Sequence, residues 1–211
     1  DTGRGPYEGA RVEINEQGDV SVYLGITTLG QGHDTTMAQI CADGMGVPID
    51  RITLFNGSTD LTSFGIGTFA SRGTVMAGNA VYMAAQDIRF KILAVAGKHL
   101  GLAVTDLEYR DGQVCRGGMG IKESLLSIRD VVTLAKQENQ PNDPKPNLET
   151  TAYFESTQFP YAYGTHAAYV TVDPDTGELD IIHYVVVEDI GRAINPMIIH
   201  GQAIGAAAQG I

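Results

Sequence analysis

The chain has 211 residues, 43% hydrophobic and 18% charged, with a formal net charge of −11. That length holds one large domain or two small ones and buries a sizeable core. The acidic balance and the scatter of the 14 basic residues exclude a nucleic-acid backbone as partner, because phosphate binding needs clustered Lys and Arg.

In chain order, residues 10–15 and 20–24 alternate apolar and polar around Glu16-Gln17-Gly18-Asp19, which predicts a β-hairpin. A glycine-bearing loop, 25–32, follows. Met37, Ile40 and Cys41 have helical spacing over 34–43, and Gly44 and Gly46 end that helix. Residues 51–55 read as a strand. Residues 57–73 form a long polar, glycine-rich stretch, of a length that is uncommon in compact domains and often functional. The strongest helix is 74–99, where Val81, Ile88, Ile92, Val95 and His99 recur at helical spacings among helix-favouring alanines.

Residues 107–110 and 113–116, split by Asp111-Gly112, predict a second hairpin. Ser127 opens a short helix to about Lys136, with Asp130 placed for a capping-box variant. A polar stretch with three prolines, 138–148, is a surface linker between sub-parts of about 1–137 and 149–211. Strands are expected at 150–155, 165–172 and 179–187, with a turn at 173–178. The run Val185-Val186-Val187 implies burial on both faces. A last helix starts at Met197, after Pro196.

No apolar run reaches the roughly 20 residues that span a bilayer, and no signal peptide is visible, so the cytoplasm is the default location. Cys41 and Cys115 read as two buried thiols rather than a disulfide framework. The five histidines lack metal-ligand spacing. The chain begins without methionine and stops inside a small-residue helix, which reads as an excised or processed fragment.

Three stretches carry possible chemistry. In Gly30-Gln31-Gly32, glycines on both sides of a neutral amide allow the backbone to approach a ligand just before a helix N-terminus; a tight turn with a solvent-facing Gln fits equally. In Gly65–Thr74, Ala70, Ser71, Arg72, Gly73 and Thr74 lead into the long helix. Their backbone N–H groups would form an anion nest, with Arg72 pairing a phosphate side by side, or the stretch is a connector with a surface Arg. It is neither a Walker P-loop nor a Rossmann fingerprint. The third stretch is Asp189–Gln202. Hairpin, loop and helix occur both around Gln31 and around Gln202, so the two glutamines would occupy related positions of a pseudo-repeat.

Taken in order, GQGHDT at 30–35, GTFASRGTVMAGNA at 67–80, YGTHAAYVTVDPDTGE at 163–178 and EDIGRAINPMIIHGQAIGAAAQGI at 188–211 resemble the large subunit of the xanthine dehydrogenase, aldehyde oxidase and carbon monoxide dehydrogenase family, in its second molybdopterin-binding domain. The resemblance spans nearly the whole chain. It implies a molybdopterin with molybdenum, in the cytosine dinucleotide form of bacterial members. Gln31, flanked by Gly30 and Gly32, would reach the oxo and pterin end. Ala70, Ser71, Arg72, Gly73 and Thr74 would bind pterin and phosphate, and Gln202 would also touch the cofactor. A serine stands in mammalian-type members where this chain has Gly73.

The implied reaction hydroxylates a carbon centre with water-derived oxygen, passing electrons to iron–sulfur and flavin subunits or domains. No direct metal ligand and no catalytic residue falls in this chain, because the family's general-base glutamate lies beyond Ile211. The fragment alone is therefore expected to be inactive and without cofactor. Two other readings remain: a non-enzymatic interaction or scaffold domain, and a nucleotide-phosphate-binding domain using the Gly65–Thr74 loop. The expected fold is α+β, with two intertwined subdomains, each a mixed or antiparallel sheet with helices packed on one face.

Overall fold

A computed structural model describes residues 5, 7–15, 17–62, 64–117, 123–137, 148–158 and 161–211. The chain divides into two compact units, Asp1–Phe159 and Pro160–Ile211. The expected sub-parts of about 1–137 and 149–211 follow the proline-rich linker rather than this contact division. That linker lies outside the described residues, apart from Leu148.

In the first unit, β1 (Tyr7–Ile14) and β2 (Val20–Leu24) form the antiparallel hairpin that their alternation predicts. Ala10, Val12, Val20, Val22 and Leu24 are buried on one face. The chain then runs through α1 (His33–Met45), a turn of 3-10 helix at Ile49–Arg51 and β3 (Ile52–Phe55). Strand β3 lies parallel to β2, as a helical crossover requires. A strand from farther along, β7 (Glu149–Glu155), pairs antiparallel with β1 and completes a four-stranded mixed sheet of order β3-β2-β1-β7.

The long helix α2 (Gly73–Leu100) packs on this sheet through β1 and β7 and also against α1. Its inward face is Ala77, Ala80, Val81, Ala84, Ala85, Ile88 and Ile92, all fully buried. Alanine there brings the helices close: a Cβ added to Gly44 of α1 would stand 3.0 Å from the Ala85 Cβ. Burying each Val or Ile side chain of this face contributes about 1.5–3 kcal/mol, and each Ala less, before entropy is counted.

The far half of α2 supports a smaller antiparallel sheet of β4 (Leu107–Arg110), β5 (Gln113–Arg116) and β6 (Ser124–Ser127). Strand β6 is absent from the sequence reading. Its four residues run directly into α3 (Ile128–Gln137), so no turn residue separates strand from helix. The capping box at α3 forms as its spacing predicts. Asp130 Oδ2 accepts from Ser127 N at 2.8 Å, and Ser127 Oγ accepts from Asp130 N at 3.3 Å.

The second unit contains β8 (Tyr163–Val172) and β9 (Leu179–Asp189), an antiparallel pair, followed by α4 (Pro196–Gly210). Asn195 caps α4, its Oδ1 accepting from Ile198 N at 3.1 Å. The burial expected for the valine run is not found: Val185 and Val187 are 55% and 64% exposed. Alternation along β9 turns Tyr184 and Val186 towards a cleft shared with Ile199 and Ala203 of α4, while Val185 and Val187 face the other way. No described residue of this unit is buried.

The α+β class, and the small mixed and antiparallel sheets, are thus as the sequence indicates. No helix among the described residues is long and apolar enough to cross a membrane.

Cys41 and Cys115 are both free and buried, and burial pushes the Cys41 thiol up to about 12. In the folded protein both thiols should resist an aromatic disulfide reagent at mildly alkaline pH, and denaturant should release both together. Rapid modification of Cys41 under native conditions would contradict this core.

Candidate functional site

Two loops of the first unit lie side by side at the N-terminal ends of α1 and α2. The first, residues 25–32, carries Gly30, Gln31 and Gly32. The second, residues 64–72, carries Ala70, Ser71 and Arg72 and runs into Gly73 and Thr74. Their contact begins where the chains cross. A Cβ on Gly65 would lie 2.3 Å from the Gly25 carbonyl oxygen, so both positions need glycine for the backbones to touch. Beyond the crossing, Thr27 N donates to Thr68 Oγ1 at 3.1 Å, and the same hydroxyl donates to Thr27 O at 2.6 Å.

The loops meet again at their helices. The His33 ring lies against Gly73, where a Cβ would be 2.3 Å from the ring Cε1. His33 is buried, which lowers its pKa and keeps the ring neutral at pH 7; its Nδ1 has no hydrogen-bond partner. Gln31 is half-buried, and its Oε1 accepts from Leu29 N within its own turn. Gly32, at φ +76°, is the N-cap of α1 and supplies no capping side chain. Gly30 and Thr74 are exposed.

Ala70 and Ser71 adopt φ of +52° and +54° in succession. Residues with a Cβ occupy that region seldom, and such strain clusters at ligand-holding segments. The N-terminus of α2 that follows has no side-chain cap and no acidic residue in its first turn. Its leading N–H groups and the positive end of the helix dipole therefore favour an anion.

Arg72 does not present its guanidinium to that helix N-terminus. The side chain is fully buried and points back under the loop. Its Nη1 donates to Glu8 Oε2 at 2.7 Å and to Gly67 O at 2.6 Å, its Nη2 to Tyr7 O at 2.7 Å and its Nε to Gly5 O at 3.1 Å. Glu8 is buried too and accepts from Ile66 N at 3.2 Å. Glu8 is not among the residues that the motifs mark, although its place in the strand carries a signal. In β1 the buried phase is 8, 10, 12, and a carboxylate on that phase must have a partner.

Gln202 belongs to the second unit. It is exposed on α4 and is not among the residues lining the cleft between α4 and β9. The pseudo-repeat holds for the order of hairpin, loop and helix but not for the glutamines. Gln31 stands two residues ahead of its helix, whereas the Asn195 cap and Pro196 start α4 early enough to place Gln202 well inside it. Among the described residues no group of three His, Cys, Asp or Glu side chains is placed to hold a metal ion.

The family profile described as a molybdopterin cofactor-binding domain matches residues 1–211. The chain belongs to the molybdopterin cofactor-binding domain family. That membership bears out the resemblance carried by the ordered motifs. The large subunit of nicotine 6-hydroxylase from Paenarthrobacter nicotinovorans is 36% identical over 207 residues, covering 97% of this chain and 25% of its own length. The carbon monoxide dehydrogenase large chain of Afipia carboxidovorans is 33% identical, with 96% and 25% covered. The crystal structure of a Cu,Mo-CO dehydrogenase in its carbon monoxide-reduced state superposes with a TM-score of 0.84 at 32% identity, over 96% of this chain and 25% of that one. The chain thus spans about a quarter of the length of these relatives.

Gly73→Ala should cost about 1–3 kcal/mol in denaturant unfolding, the usual range for overpacking a filled site. Adding His33→Ala should restore part of the loss, since the two positions are in contact. Strict additivity would show that the loops do not meet through this pair.

Proposed function

We propose that this domain holds the molybdopterin of a molybdenum hydroxylase. Its two joined loops form the cofactor-facing surface, and the remainder of the large subunit completes the site. The single observation that supports this most directly is the fastening of residues 25–32 to residues 65–73. Thr27 with Thr68 and His33 with Gly73 join the two motifs that the family resemblance marks as cofactor-binding.

The donor set suits the group. Gln31 has its Oε1 engaged by Leu29 N, which leaves the side-chain NH2 to donate to the acceptor atoms of a pterin. Ala70 and Ser71, ahead of the uncapped helix, and Gly73 and Thr74, in its first turn, offer backbone N–H groups that match a phosphate. Arg72 belongs to the same motif but acts from behind it: its side chain is committed to Glu8 and its N–H to Phe69 O. The buried and unpaired Nδ1 of His33 adds a polar atom beside both loops. Gly30 and Gly32 flank Gln31, and the family resemblance also marks Gln202, on α4 of the second unit, as a cofactor contact.

When bound, the cofactor supplies oxidation of a carbon centre with oxygen derived from water. The residues of this chain hold and orient it. The cytosine dinucleotide form, electron transfer to iron–sulfur and flavin partners, a cytoplasmic location, a general-base glutamate outside this chain and inactivity of the chain alone all belong to the proposal. The exposed apolar strands of the second unit support packing against the rest of a longer subunit.

The experiment is metal and nucleotide analysis of the full large subunit purified with its native partners. Stoichiometric molybdenum, with CMP released by acid, is expected. Replacing Gln31 and Gln202 together with Ala should lower both contents while folding persists. Absence of both metal and nucleotide would overturn the proposal. Nucleotide without molybdenum would favour a plain nucleotide-phosphate-binding domain.

A further inference from the structure

The buried pair of Glu8 and Arg72 lies behind the loop surface rather than on it, yet it reaches both ends of the segment that carries Ala70 and Ser71. We infer that Glu8 and Arg72 are positioning residues for the phosphate-bearing end of the cofactor: they hold residues 67–73 in the conformation whose backbone N–H groups receive it. This inference rests on the reading that the loop holds a molybdopterin.

Two consecutive residues with a Cβ at positive φ remain so only where the surroundings over-determine them. The surroundings here are the ion pair. At the entrance of the segment, Glu8 accepts from Ile66 N, and Arg72 donates to Gly67 O. At its exit, Arg72 is itself the residue before α2, and its N donates to Phe69 O at 3.1 Å. The other end of the guanidinium is fixed to Tyr7 O and Gly5 O at the start of β1.

One planar fork thus ties the loop to the sheet at fixed spacing. A lysine cannot reproduce this, because its ammonium is a point charge on a flexible stem. The arrangement also explains how a motif arginine acts without meeting the anion. Its charge is neutralised by Glu8, and the ligand is left to backbone donors.

The test uses the full large subunit in its native complex, comparing wild type with Arg72→Lys, Glu8→Gln and a core control, Val114→Ala, which removes two methyl groups from the smaller sheet. The readouts are CMP released by acid, thermal unfolding, and amide hydrogen exchange at residues 70–75. Arg72→Lys and Glu8→Gln should retain about tenfold less CMP, the scale on which supporting residues affect a bound group. Their exchange should quicken at 70–75 and stay unchanged across β4 and β5. The control should keep its CMP at a matched loss of melting temperature. Full CMP retention in Arg72→Lys, or equal loss in the control, would overturn the positioning role while leaving the cofactor reading intact. A wild-type complex without molybdenum or CMP would overturn that reading, and this inference with it.

Discussion

An ion pair with both partners fully buried is expensive to assemble and more expensive to break. Removing one partner of such a pair typically costs about 3–5 kcal/mol, because the other charge is left without water or a counter-ion. Glu8 and Arg72 meet at 2.7 Å, 64 residues apart in sequence, with neither side chain exposed. The pair joins the first strand of the sheet to the loop that enters the longest helix. Each of its spare hydrogen-bonding groups ends on backbone: Ile66 N and Gly9 N for the carboxylate, Gly5, Tyr7 and Gly67 carbonyls for the guanidinium. The loop between Gly67 and Gly73 is therefore held in place by the sheet. The proposed ligand surface inherits that rigidity, as sites built on well-packed elements do.

The second constraint is closeness. Gly25 against Gly65, and Gly73 against His33, bring two loops together without room for another carbon. Glycine-flanked Gln31 and the residues 70–74 carry little meaning as separate turns. Joined, they place the N-terminal ends of α1 and α2 beside one surface, and the short strained run at Ala70 and Ser71 leads into the uncapped end of α2.

What was legible in the sequence was local. The β1–β2 and β4–β5 hairpins follow from alternation and turn residues, α2 from its apolar spacing, and the α3 boundary from the Ser127–Asp130 pairing. Pairings across long separations left no such trace. The neighbours of Arg72 in sequence point to a phosphate partner or to a surface position. Its actual partner sits at position 8, on the buried phase of a strand otherwise filled by Ala10 and Val12. Strand β6 has no mark in the sequence because no breaker divides it from α3. The valines at 185–187 have the composition of a strand covered on both sides, yet Val185 and Val187 are exposed, because composition records what a strand can bury and not what lies against it.

The central claim is that the turn at Gly30–His33 and the segment Ala70–Val75 form one surface that holds a bound group. Amide hydrogen exchange on the loaded large subunit, before and after the cofactor is stripped, tests this most directly. The account predicts that both segments are protected together and lose protection together, while β4 and β5 keep theirs. Stripping that leaves both segments unchanged, or that alters only one of them, would contradict it.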